Sequence, residues 1–166
     1  MNLRPATAIG FLLIATCAAP SVSATVHHTL RVRVDPSRGH LDAEDRLSLP
    51  SGIGSEILFT LHAGLDPESW TPGVEVKARP EPVDAPLGSY VLRAADGRAL
   101  PNEVTLRWGG TIRHPLAEGG EEYAGAFRET PGTIDAEGVY LAGSTGWFPA
   151  FREELVRFVL DVELPA

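Results

Sequence analysis

Residues 25–49 read TVHHTLRVRVDPSRGHLDAEDRLSL. Val26, His28, Leu30, Val32 and Val34 fall in one phase, and Thr25, His27, Thr29, Arg31 and Arg33 in the other. A period of two marks a β-strand with one buried and one wet face. Asp35-Pro36-Ser37-Arg38-Gly39 supplies turn chemistry. Leu41, Ala43, Leu47 and Leu49 then resume the alternation, with Asp45 out of character in the apolar phase. The stretch reads as a β-hairpin and sets the class of the whole chain.

The same period recurs outward from this hairpin. Ile57, Phe59 and Leu61 form a third strand, and Asp66-Pro67 opens a break. Val74–Val76 and Ser89–Arg93 read as two strands separated by RPEPVDAP, whose prolines exclude a central strand. Val104, Leu106 and Trp108 alternate, Gly109-Gly110 interrupts with a bulge or a close backbone approach, and Ile112 follows. Residues 117–138 are polar and Gly-rich and read as a long loop. Val139–Leu141 is a short strand, and Phe158, Leu160, Val162 and Leu164 share a face of the last one. No helical period appears after residue 24. About seven to nine short strands predict an all-β fold, an antiparallel β-sandwich over residues 25–166.

Residues 1–24 stand apart. Arg4, the apolar run Ala8–Ala19 and the small residues Val22-Ser23-Ala24 have the layout of a secretory signal peptide, a helix outside the fold. The alternatives are an uncleaved anchor or a lipid-modified Cys17. Membrane association is expected only in those two cases. Otherwise the protein is exported, to the periplasm or the extracellular space. Removing these 24 residues from 166 leaves 142, enough for one domain with a real core. Cys17 is the single cysteine, so disulfide and cysteine–zinc scaffolds are excluded from the domain. Arg4 is the only charged residue removed, which leaves 13 basic against 22 acidic side chains, a net charge of −9. That surface repels phosphate backbones, and no nucleic acid partner is expected.

Candidate chemistry is sparse. His27, His28, His40, His62 and His114 show no metal-binding spacing, and His27 and His28 point to opposite faces of a strand. His40, Asp42 and Glu44 share a solvent face, with Asp45 beside them, and read as the solvated polar face of a strand. Gly143-Ser144-Thr145-Gly146 lacks the spacing of a nucleophile elbow. No catalytic, metal or cofactor-binding residue is assigned. The feature that needs a purpose is GVYLAGSTGWFPAF, residues 138–151. Tyr140, Trp147, Phe148 and Phe151 are candidates either for a core plug or for an interface with another polypeptide. An isolated domain is expected to expose apolar surface near Trp147 and Phe151 and to associate.

The order of these pieces resembles the N-terminal domain of the M1 family of zinc aminopeptidases. HHTLRVRVDPSRGHLDAEDRLSLP is similar to the family's first hairpin, and EVTLRWGGTIRHP to a strand ended by an aromatic-Gly pair. GVYLAGSTGWFPAF followed by RFVLDVELP resembles the divergent bacterial branch, with its W-(Y/F)-P corner and F-x-V-x-V-x-x-P strand. The commoner corner is F-P-C-F-D-E-P, and here Trp147–Glu153 lacks its Cys and Asp. The resemblance implies a saddle-like, mostly antiparallel β domain that packs on a catalytic domain and helps to shape the peptide-substrate cleft. Zinc and catalysis belong to HEXXH and GXMEN motifs, neither of which occurs in these residues. The implied role is therefore a non-catalytic scaffold, present as a fragment or truncated product and inactive alone. The rival expectation is a free-standing secreted or periplasmic module that binds a protein or a carbohydrate. A small hydrolase with a hidden site stands behind both.

Overall fold

The computed structural model describes residues 25–80, 86–114, 132–151 and 155–165. The proposed signal peptide, most of RPEPVDAP and residues 115–131 lie outside the described residues.

The opening hairpin forms as its alternation requires. β1 (Thr25–Asp35) and β2 (His40–Ser48) pair antiparallel, with Leu30 opposite Asp45 and Val34 opposite Leu41. Every second residue of β1 from Val26 to Val34 is buried, and the residues between them from His27 to Arg33 are exposed. Asp35 sets the turn. Its Oδ1 accepts from Ser37 Oγ at 2.6 Å and from the Arg38 backbone N–H at 3.2 Å. These bonds, that from Ser37 above all, hold its carboxyl below the ordinary carboxylate range.

The remaining described strands are β3 (Glu56–His62), β4 (Leu65–Ser69), β5 (Val74–Arg79), β6 (Leu87–Ala94), β7 (Glu103–Thr111), β8 (Gly132–Asp135), β9 (Gly138–Leu141), β10 (Ala150–Phe151) and β11 (Leu155–Glu163). They form a five-stranded sheet ordered β11-β1-β2-β7-β4 and a four-stranded sheet ordered β10-β3-β6-β5. β8 and β9 make a separate hairpin. The fold is all-β and sandwich-like, as the period of two predicts. Between the sheets lie Leu30, Val32, Leu41, Leu47, Leu106 and Trp108 from the larger one and Phe59, Leu61 and Leu92 from the smaller. With no disulfide available to the domain, this apolar burial is the main force holding the sheets together.

Three local readings are corrected. Asp66-Pro67 does not break the chain but lies inside β4, where Pro67 faces Trp108 across an edge pairing. An edge strand tolerates proline because one side of its ladder needs no donor. The polar stretch read as a loop from 117 to 138 ends in β8, whose Ile134 is fully buried. Gly109-Gly110 does not interrupt β7. Both residues stay in register with β2 and with β4. The pair answers to close approach: a Cβ on Gly110 would land on the Gly64 carbonyl oxygen.

Among the described pairings, one is not antiparallel. β11 runs parallel to β1, from Thr25 opposite Leu155 to Arg33 opposite Glu163. A parallel pair demands a long crossover, and here the chain between β1 and β11 supplies it. This puts β11 at the edge of the larger sheet.

Candidate functional site

The aromatic corner is anchored at three backbone points. A 3₁₀ turn, Gly143–Thr145, ends at Gly146 in the left-handed region, φ 69°. The Gly146 carbonyl accepts from the His62 N–H at 2.7 Å. The Trp147 carbonyl accepts from the Trp108 indole N–H at 3.0 Å. β10 then places Phe151 opposite Phe59 on β3. The corner thus ties the smaller sheet to the middle of the larger one.

The four aromatic candidates separate. Phe151 is core, 5% exposed, with ring centroids 5.7 Å from Phe59 and 5.9 Å from His28. Trp147 and Phe148 are half-buried and meet edge to face at 5.0 Å. Tyr140 sits apart on β9 and is 56% exposed. Phe148 also touches His28 at 6.1 Å and Phe158 of β11 at 6.2 Å. An aromatic path therefore runs Phe59–Phe151–His28–Phe148–Phe158, from the core to the sheet edge.

Phe158 is where the apolar surface emerges. Its register partner on β1 is His28, and Leu160 and Val162 pair with Leu30 and Val32. These side chains share the core-facing side of the sheet, because facing residues of a ladder project the same way. Yet Phe158, Leu160, Val162 and Leu164 are 58, 41, 51 and 61% exposed. The reason is the unequal width of the two sheets. Phe151 of β10 reaches His28 of β1, so β10 lies beneath β1, and β11 overhangs it. Sequence alternation picks out this apolar row. It does not show the overhang, because that depends on how far the described strands of the smaller sheet extend beneath the larger one.

The opposite side of β11 is charged. Arg31 meets Asp161 at 3.5 Å and Arg33 meets Glu163 at 3.0 Å, both across the β1–β11 ladder. Further along this outer face Arg107 pairs with Glu44, and its guanidinium carbon lies 3.3 Å from the centre of the Trp70 ring. Arg31, Arg33, Glu44, Arg107 and Glu163 border an open depression of about 450 Å³. Its three arginines are each matched to a carboxylate, so among the described residues it offers no bare cation to an anionic ligand.

Two histidine pairs form that spacing alone does not reveal. His28 Nδ1 lies 2.6 Å from Asp45 Oδ2, which explains the odd aspartate in the apolar phase of β2. Both side chains are sealed, 1 and 0% exposed, so no substrate reaches them. His62 Nε2 lies 2.7 Å from His114 Nε2. The Gly64 N–H donates to His62 Nδ1 at 2.9 Å, so that nitrogen is unprotonated. In the neutral ring the proton is on Nε2 and is donated to His114. A metal on Nε2 needs the other nitrogen to carry the proton, and the Gly64 donor opposes that. Burial, and then the His114 charge, lowers the His62 pKa from its ordinary 6.5.

Among the described residues no three His, Cys, Asp or Glu side chains converge on a metal-sized point. No helix there is long and apolar enough to cross a membrane. Comparison of the chain with family models, curated proteins and solved structures finds no match.

Proposed function

We propose that this chain is a non-catalytic β-sandwich that serves as a docking scaffold, meeting another polypeptide along β11 and the adjoining Trp147–Phe148 corner. The observation that carries the reading is the exposed row Phe158, Leu160, Val162 and Leu164, continuous with the core through Phe148. Contiguous apolar surface of this kind is a mark of protein interfaces. A protein partner is favoured over a carbohydrate because the exposed Trp70 ring, a natural sugar platform, has a face occupied by Arg107.

The narrower form of the proposal rests on the resemblance to M1 zinc aminopeptidases. In it the chain is the N-terminal scaffold of an exported enzyme, residues 1–24 are its signal peptide, and zinc and catalytic groups belong to the polypeptide it meets. A free-standing secreted or periplasmic docking module is the alternative form. Neighbouring coding sequence with GXMEN and HEXXH selects the first, and its absence selects the second.

The docking reading is tested with an apolar-surface dye at submicromolar protein. The native chain binds the dye, and F158K/L160K loses that signal with unchanged circular dichroism. Dye binding that is absent, or indifferent to these changes, overturns the reading. Turnover of aminoacyl anilides by the purified chain overturns its non-catalytic part.

A further inference from the structure

The larger sheet has two edges, and they are not equivalent. β4 is five residues long and carries Pro67, a common protection against unwanted pairing. β11 is nine residues long and contains no proline. Among the described residues β1 is its only neighbour, so its outer edge presents unpaired backbone donors and acceptors. Such an edge is a template for another strand.

We propose that the strand meeting this edge is β11 of a second copy of the chain, antiparallel about a two-fold axis at Val159. The inference rests on the docking reading and names the occupant. Its warrant is the self-complementarity of LVRFVLDVE, residues 155–163. With Val159 facing itself, all nine residues pair, and each copy's Arg157 stands opposite Asp161 of the other. Phe158 faces Leu160 and Val156 faces Val162, so apolar meets apolar along the core-facing side, while on the outer side only the terminal Leu155–Glu163 pairs set apolar against charge. The neighbouring register, about Leu160, sets Val159 against Asp161. A register about Phe158 sets Arg157 against Val159. Any register that pairs odd with even positions sets the apolar row against the charged one. Val159 is the centre whose mismatched pairs, Leu155 against Glu163, fall at the two ends of the seam and not beside its axis.

The surrounding ladder extends the match. Asp161 already meets Arg31 on β1. The second copy's Arg157 approaches from the other side, which places a carboxylate between two cations. On the core-facing side the β1 register continues the apolar rows: Val32, Val162, then Val156 and Val26 of the second copy. The two overhangs then lie side by side on one face, flanked on either side by the Trp147–Phe148 corner of each copy. The interface is isologous, and a two-fold closes it, so the product is a dimer and not a fibre.

The test uses the full chain with Cys17, its single cysteine, changed to serine. Light scattering is expected to give twice the 17.7 kDa chain mass, dissociating on dilution. V159C is expected to cross-link to itself with a short bis-maleimide, since facing positions bring Cβ atoms to about 5 Å. V156C is expected not to, because its counterpart lies about 20 Å along the strand. R157D sets two like-charged pairs across the seam and weakens the dimer about tenfold or more. A monomer at every concentration, or cross-linking at 156 in place of 159, overturns the proposal. A monomer whose dye binding still depends on Phe158 sinks the dimer and keeps the docking scaffold. A monomer without such dye binding removes both.

Discussion

His28 and Asp45 face each other diagonally across the first hairpin, Nδ1 to Oδ2 at 2.6 Å, inside the apolar core. Each also carries a polar atom, His28 Nε2 and Asp45 Oδ1, without a hydrogen-bonding partner among the described residues. Each side chain is thus satisfied chiefly by the other. Removing one member of such a pair strands the other in a medium that solvates it poorly, whereas removing both can be nearly neutral. The expected result is strong coupling. H28L and D45L each lose about 3–5 kcal/mol, and H28L/D45L loses much less than their sum. Urea unfolding of the four proteins measures this, and simple additivity would show that the pair is not a unit.

His62 predicts a pH dependence. Its folded pKa lies below the ordinary 6.5, so the native state binds fewer protons than the unfolded chain on the acid side of 6.5. The stability linked to this group is then present above about pH 6.5 and lost as the pH falls through the folded value. Asp35, Glu75 and Asp135, also held low, lose their contributions only in the carboxylate range, from 4.5 downward. H62N keeps an acceptor where Nδ1 meets the Gly64 N–H but cannot titrate. Its stability is expected to fall less steeply than that of the native chain between pH 6.5 and 5. Parallel curves would mean that the His62–His114 contact carries no proton linkage.

The strands were legible wherever alternation was long. β1, β2 and β7 follow directly from their buried phases, because one face of each is fully dry. β4 was obscured by Pro67, and β8 by the polar residues around it, since short edge strands leave too few alternations to outweigh one turn signal. The His28–Asp45 pair had a readable sign: two polar residues in the apolar phase of neighbouring strands, brought together once the hairpin register is worked out. The His62–His114 pair had none, because it joins the end of β3 to the residues just after β7 across 52 positions. The overhang of β11 depends on how two sheets of different width stack, a property that lies in no single segment.

Gly146 tests how the corner is held. Its φ of 69° suits glycine, and a Cβ there would collide with Leu87 Cδ2. G146A is expected to lose about 1–3 kcal/mol by chemical denaturation. Gly52 provides the control, because its φ is 88° but nothing lies within 4 Å of its Cβ position. G52A should therefore show the backbone penalty alone, about 1 kcal/mol. Equal losses in the two variants would remove the steric part of the argument.

The aromatics of the corner should divide by mutation as they do by burial. F151A empties a site shared with Phe59 and His28 and is expected to lose about 3–5 kcal/mol. Y140A, on an exposed position of the β8–β9 hairpin, is expected to stay within about 0.5 kcal/mol of the native chain. F158A is the informative case. Its ring is more than half exposed and touches Phe148 alone among the described aromatic rings, so truncation should cost an isolated chain little. In an assembled dimer the same ring lies in the seam. F158A should therefore shift the melting temperature of concentrated protein by several degrees more than that of dilute protein, because association stabilises the folded state by mass action. A shift that is the same at both concentrations would assign Phe158 to the fold of one chain and take it out of the interface.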